Sequence, residues 1–342
     1  MFALTSNITI GSFSFSGVHE VYIAASIHTA MNTAKIKLPA VAYVNKGAGI
    51  KGPVITGDQF KEGDPVTIML GYNDELKEEF RGFVKSRNMN VPLEVVCEGY
   101  TWLLKRNDVR ISQQNITLKA LLAAAVKGID SKYAITVKCD VELVLVNVQL
   151  TGCGMDVIAW IKQYTDGALT CFFTEPDVLW CGYLMAPTAK GKDVFSLGKV
   201  SYRPGWNTFR NNTLKRRTIA DDPLQVMYSK KQADGATDSK TSDAFKKFAR
   251  THSRLLNQVK NAAALKELAN EKALSTNYTG YEGAVETFLQ PFVAPGYMAQ
   301  LHDTTLKDTE GIYLVESVET TFGIHGARRK VELGALQGFA KQ

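Results

Sequence analysis

The sequence predicts an α+β protein that is mainly β, with two β-barrel domains related by duplication, an α/β insert and one long helix. Three observations support this prediction. Alternating apolar residues run through both ends of the chain, helical spacing is confined to the middle, and a hairpin pattern near the start recurs near the end. With 342 residues, the chain is long enough for two or three domains.

The first β unit is predicted for residues 1–106. The stretches HEVYIAASIHTAMNTAKIKLPA, PVTIML and FRGFVKS alternate apolar and polar residues, as strands with one buried face do. In PVTIML the period of two places Val66, Ile68 and Leu70 on one face and Thr67 on the other. A further strand in PLEVVCEGY closes the unit.

An α/β insert is predicted for residues 107–187. In NITLKALLAAAVKG, Thr117 is a candidate N-cap, apolar residues follow at helical spacing, and Gly128 can end the helix. A strand is expected around Tyr133–Val137, and GMDVIAWIKQYTDG predicts a second helix that ends before Gly167. The run ALTCFFTEPDVLWCGYL then has the pattern of a hairpin with Glu-Pro-Asp at its turn.

The β pattern resumes irregularly over residues 188–240, ahead of a helix predicted for residues 241–274. The stretch ADGATDSKTSD, residues 233–243, has the composition of a linker, and Ser242 or Asp243 can cap the helix. A helix of about 30 residues spans roughly 45 Å, so we expect it to brace two parts of the molecule or to reach a neighbouring chain. A kinked helical hairpin is the alternative. The apolar stripe of the predicted long helix comprises Phe245, Phe248, His252, Leu255, Leu256, Val259 and Ala263.

The second β unit, residues 275–342, follows the plan of the first. Gly63 aligns with Gly296, FRGFV with GIYLV, and EVVCEG with RKVELG. Two similar strands arise by chance in many hairpins, whereas a third in the same order favours a true duplication. The residues expected to build the barrel strands are Val66, Ile68, Leu70, Phe83 and Val84 in the first unit, and Tyr297, Leu301, Ile312, Leu314 and Val315 in the second.

The composition is that of an ordinary globular protein, with 45% hydrophobic residues, 22% charged residues and a net charge of +6. This mild positive charge permits contact with phosphates without indicating a nucleic-acid binder. The first twenty residues have neither the basic start nor the apolar run of a secretory leader, and no apolar run approaches the roughly 20 residues that cross a bilayer. The five cysteines form no CxxC pair, so we expect reduced, mostly core-filling thiols in a chain made in a cytoplasm.

The histidines do not form a recognisable catalytic or metal-binding motif. None of the five lies in HExxH or pairs at i, i+4 with another ligand. His252, on the apolar stripe of the predicted long helix, is expected to be a packed histidine rather than a ligand. His302 beside Asp303 is interpreted as part of a turn, because no nucleophile motif accompanies it.

Two pairs of adjacent acids, Glu78 with Glu79 and Asp221 with Asp222, are interpreted as solvated turn residues. General acid–base catalysis needs carboxylates that face each other across a cleft, whereas neighbours in a strand point to opposite faces. The sequence also lacks a Walker motif and a GxGxxG motif. It therefore predicts no catalytic residue, no cofactor site and no metal site.

The stretch Lys199–Lys231 is the densest positive region, with Trp206 and Phe209 interleaved among its cations. A nucleic-acid interface would use the cations on phosphates and the aromatic rings for stacking. A solvated face or a partner-binding edge is favoured, because the overall charge is only mildly basic.

The order of these parts resembles the baseplate hub proteins of contractile phage tails. The matching features are a β unit with EGDPVTIMLGY and FRGFV, an α/β insert, a long polar helix, and a closing block with APGYMAQLHD, GIYLVESVETTF and RRKVELG. The family is the late control D family, which includes Mu-like hubs and the N-terminal part of VgrG in type VI secretion. VgrG continues into a β-helical spike, whereas this sequence ends at Gln342, so a spike on a separate chain is expected.

The resemblance implies a non-enzymatic homotrimer in which each chain contributes two tube-like barrels. Three copies of a duplicated unit can present six similar surfaces to a sixfold tail tube and remain threefold toward a central spike. The implied partners are the tail tube protein, the spike protein and other baseplate proteins, with passage of DNA through the ring but no sequence-specific binding and no membrane insertion. The implied location is the tail baseplate of a virion assembled in the bacterial cytoplasm.

Two alternatives accompany this prediction. The first is the hub of a type VI or other contractile injection system. The second belongs to another class, a cell-wall-acting enzyme or a glycan-binding module, for which Trp102 and Trp206 are the candidate binding residues if exposed. Some hubs and spikes carry a cell-wall hydrolase, but no residue pattern in this sequence predicts one.

Overall fold

The computed structural model describes residues 3–46, 49–186, 194–209, 213–219, 223–232, 234–243, 250–303 and 307–338. Within these residues the protein is α+β and mainly β, as predicted. The strands belong to one large sheet and four small ones.

The elements of the first β unit are β1 (Leu4–Ile10), β2 (Phe13–Phe15), β3 (Glu20–Ser26), β4 (Thr33–Leu38), β5 (Val41–Lys46), β6 (Gly49–Ile55), β7 (Pro65–Tyr72), β8 (Glu75–Asn88), β9 (Leu93–Glu98) and the short helix α1 (Thr101–Leu104). Of these, β1–β4 and β7–β9 form an antiparallel part of the large sheet with apolar side chains buried on one face, and β5 and β6 form a separate hairpin. Strands β7 and β8 meet at Asn73 and Asp74, whose positive φ values of 51° and 67° fit the two-residue turn that matches strand twist.

The insert packs two helices against two small sheets. Its elements are β10 (Asp108–Thr117), α2 (Leu118–Val126), β11 (Thr136–Cys139), β12 (Val144–Cys153), α3 (Gly154–Tyr164), β13 (Thr170–Glu175) and β14 (Val178–Gly182). The N-cap prediction for Thr117 is confirmed, since its hydroxyl accepts a hydrogen bond from the Ala120 N–H at 3.2 Å. The predicted hairpin over 168–184 is also confirmed as β13 and β14.

The rest of the described chain forms the second β unit and a side sheet. Its elements are β15 (Lys199–Tyr202), β16 (Lys215–Arg217), β17 (Leu224–Lys231), β18 (Thr237–Thr241), β19 (Arg250–Leu255), α4 (Ala262–Thr276), β20 (Gly280–Glu282), β21 (Ala284–Thr287), β22 (Met298–Leu301), β23 (Gly311–Gly323) and β24 (Gly326–Gly338). The side sheet is β18-β17-β19 and packs against α4; the second β unit comprises β15, β16 and β20–β24.

The long helix predicted for residues 241–274 is confirmed only from Ala262 onward and is wrong for the residues described before it. Residues Arg250–Leu255 form β19, which pairs in parallel with β17, and α4 begins only at Ala262. Thr, His and Ser in this stretch are weak helix formers, and strand pairing satisfies their backbone groups instead. Of the predicted stripe, Phe245 and Phe248 lie outside the described residues.

The predicted linker at residues 233–243 is also corrected. Its second half, Thr237–Thr241, is β18 and pairs antiparallel with β17. Gly235 lies in the turn between the two strands and has a positive φ of 84°. Residues with a Cβ rarely adopt this backbone conformation. The small polar residues that suggested a linker are therefore those of a hairpin.

The two β units share one fourteen-stranded sheet. Its main path runs β16-β20-β24-β23-β3-β4-β9-β8-β7-β1-β2, with β15, β21 and β22 attached beside it. The junction is the antiparallel pair β3 and β23, from Ser26 opposite Ser317 to Glu20 opposite Gly323. Strands from the two ends of the chain are thus joined by backbone hydrogen bonds.

Candidate functional site: the joint between the two β units

A buried ion pair joins the two units beside the β3–β23 junction. Arg329 of β24 is 0% exposed, and its Nη2 lies 2.6 Å from both carboxylate oxygens of Glu79 in β8. Its remaining donors reach the carbonyl oxygen of Leu289 at 2.6 Å, that of Pro291 at 3.3 Å and the hydroxyl of Thr320 at 3.4 Å. A buried guanidinium is stable only when its donors are satisfied in this way.

This contact overturns the prediction that Glu79 is a solvated turn residue. Glu79 lies in β8 at a register irregularity opposite β7 and pairs with Arg329, while its neighbour Glu78 pairs with Arg81 at 2.7 Å. Burial raises the pKa of the Glu79 carboxyl, and the charge and hydrogen bonds of Arg329 oppose that rise. The predicted pair Asp221 and Asp222 lies outside the described residues.

A glycine turn precedes β7, the first strand of the β7–β8 hairpin in the first unit. Gly63 has a φ of 88°, and its N–H donates to the carbonyl of Val84 at 2.9 Å. The Val84 N–H donates in turn to the carbonyl of Asp64, also at 2.9 Å. A Cβ on Gly63 would lie 2.9 Å from the Trp102 ring, so only glycine fits here.

The second unit has the same arrangement at the aligned glycine. Gly296 has a φ of 87°, its N–H donates to the Val315 carbonyl at 2.9 Å, and the Val315 N–H donates to the Tyr297 carbonyl at 2.9 Å. A Cβ on Gly296 would lie 3.0 Å from the Phe195 ring. The alignment of FRGFV with GIYLV therefore places Val84 and Val315 at positions with matching hydrogen bonds.

The third aligned strand differs by one residue in register. Cys97 lies opposite Val84, and Leu333 rather than the aligned Glu332 lies opposite Val315. Both β8 and β23 carry an irregularity next to this point, which accommodates the shift.

Most of the residues predicted to build the barrel strands are buried in strands of the shared sheet. The buried ones are Val66, Ile68, Leu70, Phe83, Val84, Leu301, Leu314 and Val315. Ile312 lies in β23 and is half-buried, and Tyr297 lies just before β22 and is half-buried. Their role as the strands of two duplicated barrels remains a prediction.

The insert packs on an equivalent residue of each unit. Phe83 lies in the insert's core cluster, with its ring centroid 5.0 Å from that of Tyr133 and stacked on Trp102 at 5.2 Å. Leu314 lies in a separate buried cluster with Phe172 and Trp180 of the insert. The insert is therefore fixed to both units through side chains that point away from the unit interiors.

Asp166 anchors the side sheet to the insert. Its carboxylate accepts hydrogen bonds from His252 Nε2 at 2.7 Å, from the Tyr228 hydroxyl at 2.9 Å and from Arg254. Burial opposes ionisation of Asp166, but these donors outweigh it and lower its pKa. The expectation that His252 packs on an apolar helix face is thus wrong, since it is a strand residue hydrogen-bonded to a carboxylate.

One edge of the first unit exposes apolar side chains. The hairpin of β5 and β6 leaves Val41, Tyr43 and Ile55 53%, 71% and 53% exposed. The neighbouring β8–β9 turn exposes Met89 and Val91 at 60% and 87%. We refer to these five residues as the hairpin edge. An exposed apolar group of this kind marks an interaction surface more often than isolated apolar residues do.

In the second unit, two arginine side chains lie against aromatic rings. The Arg328 guanidinium lies 4.4 Å from the Phe209 ring and 5.7 Å from the Phe288 ring, and Arg203 lies 5.5 Å from Trp206. Trp206 is 74% exposed, whereas Trp102 is partly buried and packed on Phe83. Of the two tryptophans considered for glycan binding, only Trp206 is available at the surface.

The described residues do not contain a group of three or more His, Cys, Asp or Glu side chains that could hold a metal ion. In the same part of the chain, no helix is long and apolar enough to cross a membrane. The backbone N–H of His302 donates to the Tyr202 carbonyl at 2.9 Å, as a residue just after a paired strand does.

Two β units in one sheet, with an insert packed on both, define a mainly β scaffold. The chain has the same fold as a tail protein from Neisseria meningitidis MC58, with a TM-score of 0.64 at 11% identity over 97% of this chain and 96% of that one. The 43 kDa tail protein of prophage MuSo2 from Shewanella oneidensis gives a TM-score of 0.60 at 11% identity, over 97% and 98% of the two chains.

A third similar structure is the E. coli c3393 protein, described as a component of the type VI secretion system. Its TM-score is 0.55 at 10% identity, over 98% of this chain and 79% of that one. No protein-family model matches the sequence, and no curated protein matches it. The resemblance to baseplate hub proteins is thus confirmed at the level of fold.

Proposed function

We propose that this protein is a non-enzymatic structural hub in the baseplate of a contractile phage tail. The observation that carries the proposal is the end-to-end match to two phage tail proteins, in which 97% of this chain covers 96% and 98% of the others. The likeness therefore includes both β units, the insert and their order. A shared local motif would cover only a small part of each chain.

The proposal includes duplication of the β unit. Its support is the matched pair of glycine turns. Gly63 and Gly296 have φ values of 88° and 87°, and each turn makes the same two backbone hydrogen bonds with Val84 or Val315. The packing of Phe83 and Leu314 on the insert is a second correspondence. A chain with two such units can form a trimer that presents six similar surfaces to a sixfold tube and three to a spike.

The proposed partners are two further copies of the chain, a tail tube protein and a spike protein. The hairpin edge is the surface we assign to contacts within the ring, because its exposed apolar residues gain free energy when another chain covers them. Covering or pairing the sheet edges would also prevent the uncontrolled association that unpaired strands invite.

The test is the mass of the purified chain in solution, combined with images of the particles. The hub proposal requires a trimer that appears as a threefold ring with six similar lobes, and binding to a tube or spike protein from the same gene cluster. A chain that stays monomeric at micromolar concentration and binds neither protein would contradict it.

A type VI or other contractile injection system is the second candidate setting. The observation that favours it is the structural match to the E. coli type VI component. The two settings differ in the tube that binds: a phage hub should bind a tail tube protein encoded beside it, and a secretion hub the tube protein of the secretion apparatus.

A further inference from the structure

Three of the five cysteines lie side by side in the insert. Cys139 of β11 is directly opposite Cys181 of β14, and Cys181 is directly opposite Cys171 of β13. All three are free thiols on the face of this small sheet that packs against α2 and α3. The sequence separation of these residues predicts only isolated thiols, because the row is created by strand pairing.

Cys171 and Cys181 have the geometry of an oxidisable pair. Their sulfurs are 2.8 Å apart across an antiparallel strand pair. Directly opposed residues in such a pair have Cα atoms about 4.5–5.5 Å apart, which lies within the roughly 4.4–6.8 Å spanned by disulfides. Oxidation therefore requires little movement of the backbone.

A small oxidant can reach one member of the pair. Cys171 is half-buried and lines a cavity of about 360 Å³, together with Met155, Ile158 and Lys162. Cys181 lies behind it and is fully buried. The accessible thiol therefore reacts first, and the buried thiol is placed to resolve the product.

We propose that Cys171 and Cys181 close a disulfide when the protein meets a peroxide. The Cys171 sulfur attacks one oxygen of hydrogen peroxide, the O–O bond breaks, and the displaced hydroxide leaves as water with the Cys171 proton, so that Cys171 becomes a sulfenic acid. The Cys181 sulfur then attacks the sulfenic sulfur, and the hydroxyl leaves with the Cys181 proton as a second water. Two thiols lose two electrons, which reduce the peroxide to water.

Cys139 is the positioning residue for the second step. Cys139 lies directly opposite Cys181 in the pair of β11 and β14, and the interaction of the two thiols lowers the pKa of Cys139 and raises that of Cys181. When deprotonated, Cys139 can accept the proton of Cys181 as the new bond forms and pass it to the leaving hydroxide. Without Cys139, the buried Cys181 thiol has to lose its proton with no neighbouring base.

Formation of the Cys171–Cys181 disulfide does not depend on the proposed hub function, but the role we assign to the disulfide does. Thiols stay reduced in a cytoplasm, where a tail protein is assembled, and oxidise in the medium that a released particle enters. A disulfide between β13 and β14 would then hold the insert's hairpin together after release.

The test is made on the full-length chain, purified with reductant and then treated with hydrogen peroxide. Free thiols are blocked with N-ethylmaleimide, and the sites are mapped by mass spectrometry of peptides. We expect a Cys171–Cys181 disulfide, two fewer labelled thiols, and full reversal by dithiothreitol. Sulfinic acid at Cys171 without a disulfide, or unchanged labelling, overturns the proposal.

Variants separate the three roles. Cys171→Ser and Cys181→Ser should abolish the disulfide, and Cys139→Ser should slow its formation on the order of tenfold or more, the scale of a lost proton acceptor. Cys153→Ser is the matched control, since Cys153 lies outside the row, at the start of α3, and should leave the rate unchanged. A disulfide that forms at an unchanged rate in Cys139→Ser removes the role of that residue, and one that forms in Cys181→Ser overturns the pair.

Failure of hub assembly would leave this result untouched, because thiol mapping needs only the folded chain. The wild-type measurement also needs no variant, so a poorly folding substitution does not prevent the test.

Discussion

The two β units place different connections at the same point of their sheets. In the first unit β4 pairs with β9 and is followed by the projecting hairpin of β5 and β6. In the second unit β21 pairs with β24 and is followed by residues 288–297, without a strand. The strand after each connection, β7 or β22, pairs with the long strand of its own unit.

The second connection is directed into the molecule. Its Leu289 and Pro291 carbonyls accept hydrogen bonds from Arg329, and the Phe292 ring lies 5.2 Å from Arg329 and 4.6 Å from Lys77 of the first unit. The first connection instead presents side chains to solvent at the hairpin edge. The connection in the second unit thus holds the two units together, whereas the one in the first unit leaves apolar side chains exposed.

The largest expected effect on stability follows from removing the buried ion pair of Arg329 and Glu79. Arg329→Met leaves the buried Glu79 carboxylate without its partner, which should lower the free energy of unfolding by about 3–5 kcal/mol. Chemical denaturation followed by tryptophan fluorescence measures the change.

Two further variants sharpen this prediction. Lys330→Met, the neighbour whose side chain is 44% exposed, is the control and should cost less than about 1 kcal/mol. Adding Glu79→Leu to Arg329→Met should restore part of the loss, because no buried charge is left unpaired. If Arg329→Met and Lys330→Met are equally stable, the ion pair does not hold the joint.

The glycine turns test the similarity of the units. Gly63→Ala and Gly296→Ala each force a Cβ into a positive-φ position against an aromatic ring, so each should cost about 1–3 kcal/mol by thermal or chemical denaturation. Gly17→Ala, which meets no atom within 4 Å, should be neutral. A large cost at one glycine and none at the other would break the correspondence between the units.

Substitutions in the β5–β6 hairpin should weaken self-association without changing the stability of the folded chain. Tyr43→Ser removes the 71% exposed ring of the hairpin edge, which should weaken self-association by about 1–2 kcal/mol, the scale of an interface aromatic. Sedimentation across a concentration series measures the association, and unfolding of the dilute chain should change by less than about 0.5 kcal/mol. Equal self-association of the variant and the parent would remove the hairpin edge from the proposed ring contact.

The smallest effect concerns a pH-dependent contact across the joint. His28 Nε2 lies 3.0 Å from Glu316, and this hydrogen bond raises the pKa of His28 above 6.5. The stabilisation is therefore complete below pH 6.5 and is lost as the pH rises through the higher folded-state value. Because the His28 side chain is 62% exposed, we expect the contact to contribute less than about 0.5 kcal/mol to the free energy of unfolding. This pH-dependent contribution should be absent in His28→Gln. Identical pH profiles for parent and variant in denaturation would exclude this contact as a contributor.

Local signals in the sequence predicted much of the fold. Period-two alternation identified the faces of β7, the capping pattern identified α2, and the aligned glycines Gly63 and Gly296 proved to share one backbone geometry. Each of these signals depends on residues close together in sequence, where backbone sterics and hydrogen bonding determine the outcome.

The misses depend on partners that are distant in sequence. The burial of Glu79 depends on Arg329, far along the chain, and a pair of acids a few residues after a turn gives no sign of it. The helical spacing around His252 was overridden by pairing of β19 with β17. The cysteine row likewise appears only when β11, β14 and β13 are set in register. Tertiary pairing of this kind leaves no periodic mark in a single sequence.

The β3–β23 junction also has a consequence for synthesis on the ribosome. Residues 20–26 are translated long before their partner, residues 317–323. Until then β3 pairs with β4 alone among the described strands, and the nascent first unit exposes backbone groups that can bind another nascent chain. Synthesis of β23 is therefore the step that closes this edge, and translation rate and chaperone binding should influence the yield of this protein more than that of one whose strands pair locally.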